Sequence, residues 1–325
     1  MTTTSSGQPR RRSTVRPGDR RDLERATVPV PTRFSERRRA AIRRRTRDGV
    51  LERVRKGVYL PPARGDGVAV RRRADLLRQI RAVDVRLDLE HWFSHTSAAV
   101  LHGCWTWRLS DVVHLTQLRP PNLEQSRDRT LRRHWTDLPV RDRTEVSGVP
   151  ATTLERTVVD CARILRPARG LVVADSAIRG GADPTVIGMI LEECGRRRGV
   201  VQAREVLELA DPRSESPGET VLRWIAHDEG LPTPVPGFDV ETDRGRFWLD
   251  LAWPEWKVAV EFDGAVKYSG GAYGDPSARI VAEKARQDAL EEAGWIVIRV
   301  VWQDLGDPAG TAERIRRALW SRARR

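Results

Sequence analysis

Three acids near the C-terminus, Asp250, Glu261 and Asp263, have the types and spacing of a metal-binding carboxylate group. Around them the chain alternates. Residues 246–252 and 257–263 read as two strands, with Val258, Val260 and Phe262 interleaving with the acids. Trp253-Pro-Glu-Trp256 reads as a tight connection. With an even-length loop, residue 252 pairs with 257 and residue 250 with 259. Asp250, Glu261 and Asp263 then share one sheet face, because side chains alternate along a strand. Asp250 and Glu261 become diagonal neighbours, roughly 7–8 Å apart at their backbones. Carboxylates at that separation suit a hard divalent ion, which polarises a phosphate and lowers the pKa of an attacking water. The competing reading is three solvated acids on an edge hairpin.

The elements that must position this group follow from the surrounding sequence. Ala210-Asp-Pro-Arg-Ser-Glu-Ser-Pro-Gly218 is a linker rich in Pro, Ser and Gly. A helix runs from Pro217 to about Glu229. Ser216-Pro-Gly-Glu219 opens it as a capping box, with Pro217 at the first helical position. A helix over about 277–293 ends at Gly294, residues 295–302 form an apolar strand expected to be buried on both faces, and a last helix spans about 311–322. The order is helix, strand, strand, strand-like turn, helix, strand, helix.

Asp250-Leu-Ala-Trp-Pro, Val260-Glu-Phe-Asp-Gly, Glu283-Lys-Ala-Arg-Gln-Asp-Ala-Leu and Gly294-Trp-Ile-Val-Ile-Arg resemble the domain family related to the very-short-patch-repair endonuclease, within the PD-(D/E)XK superfamily. The resemblance covers about residues 213–325. It implies a restriction-endonuclease-like fold and magnesium-dependent nuclease ancestry, with manganese as the substitute ion. Carried over, Asp250 matches the first motif acid, Glu261 the second and Glu219 the acid on the leading helix. The usual lysine two residues after the second acid is Asp263 here. Lys267 and Lys284 are the candidates for a relocated base or electrophile, and Arg286 and Arg299 for phosphate contact. The chain has four lysines, and three of them, Lys257, Lys267 and Lys284, fall in this domain.

Composition points to a polyanionic partner, with DNA the simplest. The 325 residues carry net charge +13 and are 39% hydrophobic and 32% charged. Residues 1–26 read as a disordered basic tail. In residues 27–65, Ser35 can cap a helix to Asp48, followed by a hairpin turning at Arg55-Lys56-Gly57. Arg37, Arg38, Arg39, Arg43, Arg44 and Arg45 crowd that helix and, with Arg55 and Lys56, are the expected phosphate contacts. Residues 66–212 read as mixed α/β passing to helices. Gly49-Val-Leu-Glu-Arg-Val-Arg-Lys-Gly-Val-Tyr, Ser94-His-Thr-Ser-Ala-Ala-Val-Leu-His-Gly and Gly148-Val-Pro-Ala-Thr-Thr-Leu-Glu-Arg-Thr-Val-Val-Asp resemble AbiEi-type antitoxin winged-helix proteins. The expected class is α/β, with a restriction-endonuclease-like C-terminal domain behind a short winged-helix-like unit and a mixed middle region.

Cys104, Cys161 and Cys194 lie far apart, so no zinc ribbon or redox pair is indicated. With no signal peptide or membrane-length apolar run, the expected setting is cytoplasmic. His91, His95 and His102 share a face if one helix carries all three. Core or capping roles are favoured for them over zinc. Two functions follow: a magnesium-dependent DNA endonuclease-like enzyme, or a non-catalytic DNA-binding regulator of antitoxin type with a degenerate nuclease domain. A third is a protein-interaction module.

Overall fold

A computed structural model describes residues 23–122, 128–264 and 276–323, with side chains of 276–280 left aside. The chain divides between Ala210 and Asp211 into two compact units. Both are mixed α/β, and the described strands form three sheets. No described helix is long and apolar enough to cross a membrane.

The first unit begins with a small antiparallel sheet, ordered β1 (Thr32–Arg33), β3 (Val58–Leu60), β2 (Glu52–Arg55). Between β1 and β2 lie a 3-10 turn over Glu36–Arg38 and α1 (Arg39–Arg47). Ser35 precedes that turn without a side-chain cap bond, so the expected cap is not made. Within α1, Ile42 is the buried residue, and the arginines around it face solvent. α2 (Val68–Asp84) packs Ala82 against Val58 and Leu60.

A five-stranded mixed sheet follows, with order β6 (Leu131–Trp135), β5 (Val113–Gln117), β4 (Trp92–Phe93), β8 (Val149–Thr152), β7 (Arg143–Val146). α3 (His95–His102) lies against β5, and Phe93, Leu101, Leu115 and Ala151 share its core. Helices α4 (Leu154–Ile164), α5 (Pro167–Arg179), α6 (Pro184–Glu193) and α7 (Val200–Glu208) complete the unit. Thr153 caps α4 by accepting from the Arg156 N–H, as its position before an apolar run predicts. Arg156 is buried between Asp142 (3.0 Å) and Asp160 (3.1 Å), so its charge is neutralised within the core.

The second unit runs α8 (Pro217–Asp228), β9 (Val235–Thr242), β10 (Gly245–Trp253), β11 (Val258–Asp263), α9 (Pro276–Glu292), β12 (Ile296–Val301) and α10 (Pro308–Ala323). Its sheet order is β12-β11-β10-β9. β9, β10 and β11 pair antiparallel in succession, and β12 returns parallel to β11 after the α9 crossover. β12 is an edge strand. Val300 alone of its residues is buried, so the expectation of burial on both faces fails. An apolar run at a sheet edge has one neighbour to cover it, not two.

Candidate active site

α8 is held at its N-terminus by the residues that also bring it to the acids. Ser216 is extended, and its hydroxyl accepts from the Glu219 N–H at 3.3 Å. Glu219 answers with both oxygens: Oε2 accepts from the Glu215 N–H at 2.7 Å and Oε1 from the Ser216 hydroxyl at 2.8 Å. This is a variant of the capping box, with Glu219 reaching the Glu215 N–H and the Ser216 hydroxyl. Glu219 also feels the charge of Asp250. Burial, then the nearby charge of Asp250, pushes its carboxyl up to about 8 against the hydrogen bonds that favour ionisation.

Gly218 allows this approach. A Cβ there would stand 2.2 Å from the Phe262 ring. Phe262 in turn donates its N–H to Asp250 Oδ2 at 2.7 Å. Helix, ring and carboxylate are thus tied in one chain of contacts between α8, β11 and β10.

The β10–β11 register differs from the expected one by two residues. Ala252 pairs with Ala259 and Leu251 with Val260, not 252 with 257. Residues 254–256 form a 3-10 turn and Lys257 takes the left-handed conformation at φ +49°, which closes the hairpin later than a minimal turn. A shift of two preserves the face of every side chain. The paired residues end at Leu251 and Val260, and continuing their register by one step sets Asp250 across from Glu261 on the same face.

Glu261 is 5% exposed and ion-pairs with Arg286 on α9. Arg286 also donates to the Trp248 carbonyl at 2.8 Å and lies 3.9 Å from Glu283. Burial works to lower its pKa, but Glu261, Glu283 and Asp250 outweigh it and raise the guanidinium above its usual value. Arg299, opposite Glu261 on β12, binds Glu283 at 2.6 Å. Two arginines and four acids therefore form one network over this sheet face.

The remaining expected residues divide. Asp263, at the end of β11, is half-buried. Lys284 is exposed and sits two residues before Arg286, about 200° around the helix. It is turned from the acids, so its expected place beside them is not realised. Lys267 lies outside the described residues. Among the described residues, Arg286 is paired with Glu261. Its signal was its place three residues after Glu283, on the turn of α9 that faces the sheet.

Asp250 Oδ2 already accepts from the Phe262 N–H and Glu261 is paired with Arg286, so a cation held by these two carboxylates would have to compete with Arg286 for Glu261. Burial is the larger cause of the raised Glu219 carboxyl, and the smaller one, the charge of Asp250, is what a bound cation would offset. Yet Glu219, Asp250 and Glu261 do not gather as three ligands. Among the described residues one such group exists, in the first unit: His95, His114 and His134, with one ligand atom from each ring all within 4.8 Å of one another. His91 and His102 are elsewhere. His91 Nδ1 bonds the Leu89 carbonyl and His102 Nε2 the Thr152 carbonyl, at 2.8 Å each. Ser94 starts the helix at His95, so no single helix carries all three predicted histidines.

Of the expected phosphate contacts, Arg37, Arg38, Arg39, Arg43, Arg44, Arg45 and Lys56 are exposed. Arg55 is not available: it pairs with Asp128 at 2.6 Å and Thr130 at 2.8 Å. Its place next to the hairpin turn brought it against the β6 edge instead of solvent.

No protein-family model matches the chain. Two Mycobacterium tuberculosis proteins, Uncharacterized protein Rv2248 and Uncharacterized protein MT2308, are each 32% identical to it over 262 residues, 78% of this chain and 90% of theirs. The chain belongs to their family. Because the match is this long, the family shares more than one of the two units described above.

Proposed function

We propose that the second unit is a restriction-endonuclease-like domain that hydrolyses DNA phosphodiester bonds with magnesium, or manganese in its place. The observation that carries this reading is a buried Glu219 whose carboxyl is raised to about 8 by burial and by Asp250, on the sheet face that the β10–β11 register gives to Asp250 and Glu261. The order helix, three antiparallel strands, helix, parallel strand supports it, since that scaffold and these motif acids are what the resemblance to the very-short-patch-repair relatives implies.

In this reading Asp250 and Glu261 hold the ion, which supplies charge stabilisation for the scissile phosphate and a more acidic water. Arg286 holds the Glu261 carboxylate in place and presents guanidinium donors where a phosphate oxygen would sit. Glu219, protonated at neutral pH by its surroundings, is a proton donor or acceptor poised near working pH. Arg286 takes over the electrophilic role of the lysine that Asp263 replaces. The exposed arginines of α1 with Lys56 bind the DNA backbone, as a winged-helix-like unit of AbiEi type would.

A second reading has a specific observation behind it. The Arg286 guanidinium already neutralises Glu261, and Asp263 stands in the lysine position, as in a regulator or antitoxin-type protein with a degenerate nuclease domain. Nicking of supercoiled plasmid by the full chain, with magnesium or manganese, separates the two. Cleavage that Asp250→Ala abolishes supports the enzyme. Salt-sensitive binding without nicking at either metal selects the regulator.

A further inference from the structure

The histidines of the first unit form a cluster that the nuclease reading leaves unused. His114 lies on β5 and His134 on β6. In their parallel pairing Thr116 stands opposite His134, so His114 and His134 are diagonal neighbours on one face. His95, the first residue of α3, comes down on that face. Its position is set twice by backbone bonds. Ser94 N–H donates to the His114 carbonyl at 3.1 Å, and His114 N–H donates to the Ser97 hydroxyl at 2.8 Å.

We propose that His95, His114 and His134 form a binding site for a borderline divalent cation of the zinc type, with a fourth position open to an exogenous ligand. One nitrogen from each ring lies within 4.8 Å of the other two. His114 Nδ1 and His134 Nε2 are already 3.0 Å apart. Two nitrogens bound tetrahedrally to one zinc at 2.0–2.1 Å are about 3.3 Å apart, so this pair stands near ligand separation. Three imidazoles are a complete protein ligand set for an open zinc site.

A stacked core of histidines is the competing account. The His95 ring does lie on His134, with centroids 3.8 Å apart and planes 21° from parallel. Three features favour a site. Ser94 is fully buried and is the N-cap of α3, yet its hydroxyl makes no cap bond. It meets His95 Nδ1 at 2.9 Å and accepts from the Thr116 hydroxyl at 2.9 Å. An Nδ1–H donated to Ser94 leaves Nε2 as the basic nitrogen of His95, the outer-shell arrangement typical of metal-bound histidine. His95 also holds φ +53°, a left-handed conformation rare at the first residue of a helix. Finally, His114 is among the residues that line a cleft with Thr96, Trp107 and Arg108.

The surrounding charge specifies the fourth ligand. Arg132 and Arg163 act on the cluster, and Arg156 is neutralised by Asp142 and Asp160. A cationic surround disfavours a bare divalent ion and favours one carrying an anion, such as hydroxide or a phosphate oxygen.

The test uses the full chain, stripped with chelator and titrated with cobalt(II), which reports tetrahedral nitrogen ligation in the visible spectrum. The site predicts an intense tetrahedral band that saturates at one equivalent, lost in His114→Gln and in His134→Gln and retained in Asp250→Ala, where any cobalt held by carboxylates is absent. No band in the folded wild-type chain, or a band of wild-type intensity in either glutamine variant, overturns it. X-ray absorption of the zinc-loaded wild-type chain decides independently of variant folding: imidazole scattering supports the site, and an oxygen-only shell refutes it.

Discussion

Replacing Glu219 by Gln removes the charge that the site resists while keeping its capping bonds, since Gln is accepted at the third helical position of a capping box. In the folded chain the Glu219 carboxyl rises from an ordinary 4.5 to about 8. Because the folded pKa is the higher one, stability is fully present below about pH 4.5, where both states are protonated. It falls as pH rises through 8, where both are ionised, since the unfolded chain loses its proton first. At about 1.4 kcal/mol per pH unit, that rise corresponds to on the order of 5 kcal/mol lost across the window. The Gln variant lacks this loss, so it matches wild type near pH 4.5 and exceeds it at pH 8. Hydrogen exchange of α8 and β11 amides between pH 5 and 8, corrected for intrinsic rates, reads the second unit directly. Parallel stability profiles for wild type and variant would refute the account of Glu219. Magnesium at pH 8 should narrow the gap, by stabilising the ionised form in wild type alone.

Other perturbations test separate links. Gly218→Ala drives a methyl into the Phe262 ring, so it should cost about 1–3 kcal/mol by overpacking and lower cleavage, measured by thermal melting and plasmid nicking. Arg286→Met strands a buried Glu261 charge and should destabilise the second unit by about 3–5 kcal/mol in denaturant titration. Arg156→Met strands Asp142 and Asp160 in the first unit, with a loss of similar size. Gln at Arg37, Arg38, Arg43 and Arg44 should flatten the salt dependence of DNA affinity by about 0.9 in log–log slope for each phosphate that is no longer neutralised. An unchanged slope would remove α1 from the DNA interface.

Much of the second unit was legible because its signals are local. Ser216, Pro217 and Glu219 mark the start of α8, and alternation in residues 258–263 marks β11 and its buried face. The facing of Asp250 and Glu261 followed from parity, which survives a two-residue error in register. That error arose because Lys257 adopts a left-handed conformation that a lysine does not advertise. β9 was harder to read, since Pro236 and Gly237 look like loop residues and the strand is fixed by pairing with β10. The ion pair of Glu261 with Arg286 joins a strand to a helix 25 positions on, and no periodicity links them. The histidine cluster was illegible for the same reason: His95 meets His114 and His134 through sheet pairing, whereas spacing along the chain pointed to His91 and His102.

The central claim is that Asp250 and its neighbours hydrolyse DNA. Single-turnover cleavage of end-labelled duplex by the full chain in magnesium, beside a folded Asp250→Asn variant, tests it most directly. The account predicts cleavage that requires the metal and falls by at least about 100-fold in the variant, the scale of losing a principal electrostatic group at a reacting phosphate. Equal rates for the two proteins, or no cleavage by wild type with magnesium or manganese, would contradict it.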